Sequence, residues 1–140
     1  MIEIESGELG SLPEVTVGQT ESSRIFELID KLRGHQPVEF RSDLPSSCLW
    51  RVTFRGEPSF RHVNRIGMFR EFLDDLLPGE LETVGGELGS VVVVFGPHQA
   101  ADAEFIARSN SLVEDRSKFE KVSEFLGINS LEYDGKKLSF

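Results

Sequence analysis

Residues 91–95 read Val-Val-Val-Val-Phe, and this stretch decides the interpretation of the fold. All its side chains are apolar and four are β-branched, so buried and exposed positions do not alternate. Such a run is typical of a central strand that is covered on both faces. We therefore predict a sheet with residues 91–95 as its innermost strand.

Glycine and proline lie on both sides of this strand. Before it, residues 81–84 are predicted to form another strand, which turns at Gly85-Gly86. After it, Gly96-Pro97 has the pattern of an N-cap followed by proline at the first helical position. We therefore expect a helix over about 97–108.

The spacing of Ser111 and Glu114 is that of a capping box, which predicts the start of a last helix. Its inward-facing residues are expected to be Phe119, Val122, Phe125 and Leu126, and Gly127 is expected to end it. Beyond it, residues 131–140 alternate around Asp134-Gly135, the preferred pair for a type I′ turn, and predict a C-terminal β-hairpin.

The preceding part of the chain also has clear periodicity. A helix capped by Ser22 or Ser23 is predicted, with Ile25, Leu28, Ile29 and Leu32 inward, and Gly34 is expected to stop it. Residues 49–55 alternate as a strand, with Trp50, Val52 and Phe54 on one face. A long amphipathic helix follows and ends before Pro78, with Val63, Ile66, Phe69, Phe72, Leu73 and Leu76 inward. Further short strands are predicted at 2–4, 15–17 and 38–40.

Helices and strands follow one another irregularly rather than in a strict βαβ order. This favours an α+β fold, with a mixed or mostly antiparallel sheet and about four helices. The chain has 140 residues, of which 39% are hydrophobic and 11 are Phe. We expect one domain over 1–140 with a substantial core.

Several classes of protein are disfavoured by composition. No stretch approaches the ~20 apolar residues of a membrane-spanning helix, and the acidic start is unlike a signal peptide. The single cysteine, Cys48, allows no internal disulfide, so a reduced, cytoplasmic protein is expected. His35, His62 and His98 have no metal-ligand spacing and no cofactor motif is present, so we expect neither metal nor cofactor.

Charge is strongly segregated along the chain. Residues 41–70 contain six arginines and two acids, whereas residues 71–107 contain eight acids and no Lys or Arg. The formal net charge is −9 and the pI is near 4.8, which argues against direct nucleic-acid binding. Surfaces with two signs of charge typically meet charged partners.

Four of the arginines are candidates for an anion site: Arg51, Arg55, Arg61 and Arg65. The first pair shares a strand face and the second pair is one turn apart on the next helix. That helix has its cations at the positive end of the macrodipole and its acids at the negative end. Such an arrangement is one that could present cations to an external anion, a phosphate or carboxylate. The interpretation favoured over it is that these arginines pair with the chain's own acids, since surface ion pairs are common.

No catalytic constellation is present, so the leading expectation is a small acidic, non-enzymatic protein-binding domain. An immunity or inhibitor protein that neutralises a basic, nuclease-type toxin is a concrete instance. Its expected binding residues come from the acid-only segment: Asp74, Asp75, Glu80, Glu82 and Glu87. The alternative is a small enzyme or ligand-binding domain that uses the arginine cluster. A third possibility is an accessory subunit that docks in an oligomer through its Phe-rich surface.

Overall fold

A computed structural model describes residues 20–140 of the chain, so the strands expected at 2–4 and 15–17 lie outside the described residues. Four helices are found in the described part: α1 (Glu21–Arg33), α2 (Arg61–Leu76), α3 (Ala103–Leu112) and α4 (Arg116–Leu126). Six strands accompany them: β1 (Val38–Glu39), β2 (Trp50–Phe54), β3 (Leu81–Glu87), β4 (Val91–Pro97), β5 (Ile128–Tyr133) and β6 (Lys136–Ser139). The predicted α+β class and the C-terminal strand pair are confirmed.

The six strands form one sheet in the order β1-β3-β4-β2-β5-β6, and every neighbouring pair is antiparallel. Strand β4, which contains the Val-Val-Val-Val-Phe run, has β3 on one side and β2 on the other. It therefore lies at the centre of the sheet, where it is hydrogen-bonded along both edges.

All four helices pack on one face of the sheet. Alternate residues of the central strands point to that face, as the predicted Trp50, Val52 and Phe54 do. One apolar cluster joins them to residues from each helix, among them Leu28, Phe69, Phe105 and Phe119. The described residues thus share a single core between a helical layer and a sheet.

The junction after β4 differs from the prediction. Residues 96 and 97 continue β4, where they pair with Glu82 and Leu81, and the helix begins only at Ala103 with Asp102 as its N-cap. Gly96 packs closely against side chains, because a Cβ there would lie 2.7 Å from a Leu44 methyl group, which would have to shift. Beyond Phe95, β4 pairs only with β3, so Pro97 lies where the strand has one open edge, a position at which proline is tolerated.

The expected turn at Gly85-Gly86 is also wrong. Both glycines lie inside β3, opposite the short edge strand β1. A Cβ on Gly85 would lie 2.6 Å from the carbonyl oxygen of Val38. These glycines therefore allow close approach of the edge strand rather than a change of direction, and the chain turns at residues 88–90 instead.

Three helix details are corrected. Thr20, rather than Ser22 or Ser23, caps α1 by accepting a hydrogen bond from the Ser23 N–H. Ser111 lies within α3, so it does not cap α4, which begins after Asp115. Phe125 is 74% exposed, and Ser123 is buried in its place. Gly127 ends α4 as predicted, with a φ of 74°.

Candidate functional site

Two of the four candidate arginines converge on the C-terminal end of α4. Nη1 of Arg65 and Nε of Arg55 lie 3.7 and 3.8 Å from the position that a Cβ on Gly127 would occupy. The backbone N–H of Arg55 also donates to the Gly127 carbonyl at 2.7 Å. Both side chains are exposed, and neither has an ion-pair partner among residues 20–140.

The helix itself explains part of this convergence. The free carbonyl groups at a helix C-terminus carry about half a negative charge, which attracts cations. Two guanidinium groups bring two full positive charges to this helix end. Arg55 also lines a pocket of about 360 Å³, which carries both signs of charge: its other lining residues are Arg116, Glu120, Lys121, Glu124, Ile128 and Phe140.

The other two candidate arginines lie elsewhere. Arg51 pairs with Glu87 at 3.0 Å across the sheet, so both charges are already compensated. Arg61 is exposed in the first turn of α2 and has no partner within the described residues. The structure therefore brings Arg55 and Arg65 together at Gly127, whereas Arg51 is paired with Glu87.

The five candidate acids do not form one free surface. Asp74 accepts the Leu81 N–H at 2.7 Å, Glu87 pairs with Arg51, and Glu82 is buried in an ion-pair network. Asp75 and Glu80 are exposed, and their carboxylates have no hydrogen-bond or ion-pair partner within residues 20–140. Asp75 lies on α2, and Glu80 lies just before β3.

Several of the charged residues cover the edge of β3. Strand β1 pairs with β3 only at Gly85 and Gly86, so the backbone of residues 81–83 has no neighbouring strand on that side. Side chains form hydrogen bonds with these backbone groups instead. At Leu81, Asp74 accepts from the N–H and Arg70 donates to the carbonyl. At Thr83, Glu21 accepts from the N–H and Arg24 donates to the carbonyl. Such side-chain cover blocks edge-to-edge association of sheets.

Glu82 is at the centre of this network. Its carboxylate lies 2.6 Å from Nη1 of Arg41, 3.3 Å from Nη1 of Arg24 and 3.0 Å from Nδ1 of His98. Burial disfavours its charged form, but the hydrogen bonds from His98 and Arg41, together with the nearby arginine charges, outweigh burial and lower the pKa of Glu82. Asp43 and then Glu82 raise the pKa of the Arg41 guanidinium through their hydrogen bonds.

Within residues 20–140, His62 and Cys48 have structural positions and are not part of a metal-binding group. His62 is buried, and its Nε2 donates to the Arg55 carbonyl while its Nδ1 accepts from the Ser59 N–H, so it fixes the turn between β2 and α2. Cys48 is buried, and within residues 20–140 no three His, Cys, Asp or Glu side chains are grouped as a metal site would require.

One surface was missed at the level of the sequence, although its charges were noted. The exposed residues of α2 lie along one stripe: Arg61, Asn64, Arg65, Met68, Glu71 and Asp75. Met68 is 50% exposed and lies beside a groove of about 230 Å³ between α1 and α2. Its four charged members have no ion-pair partner among the described residues, although the guanidinium of Arg65 lies beside the C-terminal end of α4. The sequence contains a signal for this stripe, because its charged residues lie three and seven residues before and after Met68, a spacing that puts them on one face of a helix.

Comparison with known proteins identifies no relative. No protein family, curated protein or solved structure matches this chain. Within residues 20–140, every helix is too short or too polar to cross a membrane.

Proposed function

We propose that the chain is a non-enzymatic protein-binding domain and that the exposed stripe of α2 is its contact surface. The observation that carries the proposal is the combination of an exposed methionine, an adjacent groove and four surrounding charged side chains that have no ion-pair partner within residues 20–140. Unpaired charges also occur elsewhere in the described residues, as at Arg55 and Glu80, but other charges are engaged within the domain. Arg24, Arg41 and Arg70 all make ion pairs or backbone hydrogen bonds.

The energetics of α2 support a contact surface there. Arg61 lies in the first turn of α2, at the positive end of the helix dipole, and Asp75 lies in its last turn, at the negative end. Each such placement costs about 0.3–1 kcal/mol when nothing compensates it. A partner that presents opposite charges at both ends would remove this cost and gain ion pairs as well.

The apolar centre of the stripe supports the same proposal. Met68 is half exposed, and the groove beside it is lined in part by Ile25, Val63 and Gly67. An exposed methionine with an adjacent groove suits a binding surface, because its flexible thioether adapts to a partner. Charges around an apolar centre also reproduce the usual anatomy of a protein interface.

The test compares two variants of equal exposure. Met68→Asp places a charge at the centre of the stripe, and Leu88→Asp does the same in the β3–β4 turn, where Leu88 is also 50% exposed. The tagged chain and both variants are used to capture proteins from host lysate at about 50 mM salt, where ionic contacts are weakly screened. We expect wild type and Leu88→Asp to capture at least one protein that Met68→Asp does not capture. Equal retention by all three would overturn the proposal.

The expected neutralisation of a basic, nuclease-type toxin is one form of this function. It now rests on Asp75 and Glu80, because the other three candidate acids make contacts within the domain. For a basic partner, Asp75→Asn and Glu80→Gln should slow association, and raising the salt to about 500 mM should weaken it. A captured partner without a basic surface would exclude this form.

A second candidate function is the binding of an anionic ligand at the end of α4. The convergence of Arg55 and Arg65 on Gly127 favours it. Titration with inorganic phosphate, followed by amide NMR shifts, should perturb Gly127, and Arg55→Gln should abolish the shift. Arg61→Gln is the control, since Arg61 is equally exposed but is not among the side chains that approach Gly127. Wild-type shifts that stay constant up to about 20 mM phosphate, beyond the millimolar range of weak sites, would exclude this function.

A further inference from the structure

We propose that the partner of the α2 stripe is a second copy of this chain, bound with its α2 antiparallel about a two-fold axis close to Met68. This inference rests on the proposed function, because it uses the same surface. It adds the identity of the partner and the geometry of the complex.

The charges of the stripe are arranged symmetrically in position and oppositely in sign. Arg65 and Glu71 lie three residues before and after Met68, and Arg61 and Asp75 lie seven residues before and after it. Offsets of three and seven residues share one face of a helix, and all five residues are exposed. Reversing the direction of α2 therefore exchanges each cation with an acid at the same distance from Met68.

Antiparallel pairing of two copies matches these charges. Arg65 of one copy then faces Glu71 of the other, and Arg61 faces Asp75. By symmetry each pair occurs twice, about 4.5 and 10.5 Å from the axis at 1.5 Å per residue. Parallel pairing would instead place arginine against arginine and acid against acid, which is destabilising. The charge pattern thus selects one orientation.

The helix dipoles favour the same orientation. In an antiparallel pair, the negative end of each helix lies beside the positive end of the other. The arginines at the start of one α2 then lie near the free carbonyl groups at the end of its partner. The charge placement that is unfavourable within one copy becomes favourable across two.

The centre of the stripe has the shape that a helix pair needs. Helices in contact lie 8–10 Å apart, and small residues permit the closer spacings. Gly67 adjoins Met68, and a Cβ there would contact only a methyl group of Ile25, at 3.9 Å. The missing side chain leaves space on the outer surface, and the groove beside it can receive Met68 of the second copy.

Contact through one helix is small, which sets the expected affinity. Helix α2 has 16 residues, so we expect the pair to bury less than the 1,200–2,000 Å² of a stable interface. We therefore expect a reversible dimer with a dissociation constant on the order of 10 μM, weakened several-fold by about 500 mM salt.

Sedimentation equilibrium of the full chain from about 5 to 500 μM, a range that brackets this affinity, tests the proposal. Wild type and Leu88→Asp should dimerise equally, whereas Met68→Asp should remain monomeric. A monomeric wild type throughout this range, or equal dimerisation of Met68→Asp, would overturn the inference.

Charge exchange tests the pairing directly. Arg61→Glu with Arg65→Glu gives an all-acidic stripe, and Glu71→Arg with Asp75→Arg gives an all-basic one. Each should be monomeric alone, and their mixture should form a heterodimer because every pair is again complementary. Failure of the mixture to associate, while wild type dimerises, would overturn the proposed pairing.

A cross-link tests the position of the axis. With oxidised glutathione added as the oxidant, Met68→Cys should form a disulfide-linked dimer readily, because a residue on a two-fold axis meets its own copy. Leu88→Cys is the control and should stay largely monomeric, and equal cross-linking of the two would contradict the axis. A further outcome separates this inference from the proposed function. If wild type is monomeric but captures from lysate a different protein that Met68→Asp does not capture, self-association is excluded and the protein-binding function stands.

Discussion

Glu82 and Arg41 are 41 residues apart in the chain, and their side chains meet at 2.6 Å beside the edge of β3. Only 12% of the Glu82 side chain is exposed to solvent. Glu82 is therefore held by the domain's own cations, although its segment of sequence contains only acids. The pair belongs to the scaffold that covers the sheet edge.

Replacing Glu82 by Gln should destabilise the fold. The change leaves Arg24 and Arg41 without their shared negative partner in a partly buried site, which we expect to cost about 1–3 kcal/mol. Thermal or urea unfolding measures this loss. Glu80→Gln is the control, since that carboxylate is exposed and unpaired within the described residues, and its effect should stay within about 0.5 kcal/mol. Equal effects of the two substitutions would contradict the structural role of Glu82.

Acid should remove the same contribution. The pKa of Glu82 is lowered in the folded state from its ordinary value of 4.5, so its stabilising effect is complete above about pH 4.5. The effect is lost as the pH falls through the folded-state pKa, because the protonated carboxyl no longer compensates the arginines. The free energy of unfolding should therefore fall less between pH 6 and pH 3 in Glu82→Gln than in wild type. Parallel pH profiles would contradict this assignment.

Val93→Asp should prevent folding. Val93 is fully buried on the helical face of β4, and an unpaired carboxylate there costs several kcal/mol against a total stability of about 5–15 kcal/mol. Val92 alternates to the opposite face and is only partly buried, so Val92→Asp is the matched control and should remain folded. Circular dichroism and thermal unfolding distinguish the two. A cooperatively melting Val93→Asp variant would show that the assignment of this face is wrong.

Gly135→Val should weaken the C-terminal hairpin. Gly135 has a φ of 81°, and nothing lies within 4 Å of a Cβ placed there, so the penalty is one of backbone conformation. A β-branched residue resists this conformation and should cost about 1–2 kcal/mol, whereas Gly135→Asn should cost less because asparagine tolerates positive φ. Urea unfolding provides the measurement. Similar losses for valine and asparagine would mean that the turn geometry is not the cause.

The elements that the sequence predicted well depend on neighbouring residues. The alternation of Trp50, Val52 and Phe54 specifies a strand with one buried face, and Asp134-Gly135 specifies the turn between β5 and β6. The β-branched run at 91–95 predicts a central strand, and β4 is one, but its second face is covered only in part: Val94 is buried and Val92 is half-buried. In each case the pattern is decided by backbone sterics and local burial, which a short window of sequence contains.

The features that sequence reasoning missed depend on residues distant in the chain. Gly85-Gly86 has turn chemistry, yet these glycines are needed because β1 approaches their backbone closely. Glu82 lies among acids in the sequence and among arginines in space, since only sheet topology brings Arg24 and Arg41 to the edge of β3. The sequence alone therefore determined the local elements and the α+β class, while the tertiary structure decided which charges are paired inside the domain and which remain available on α2.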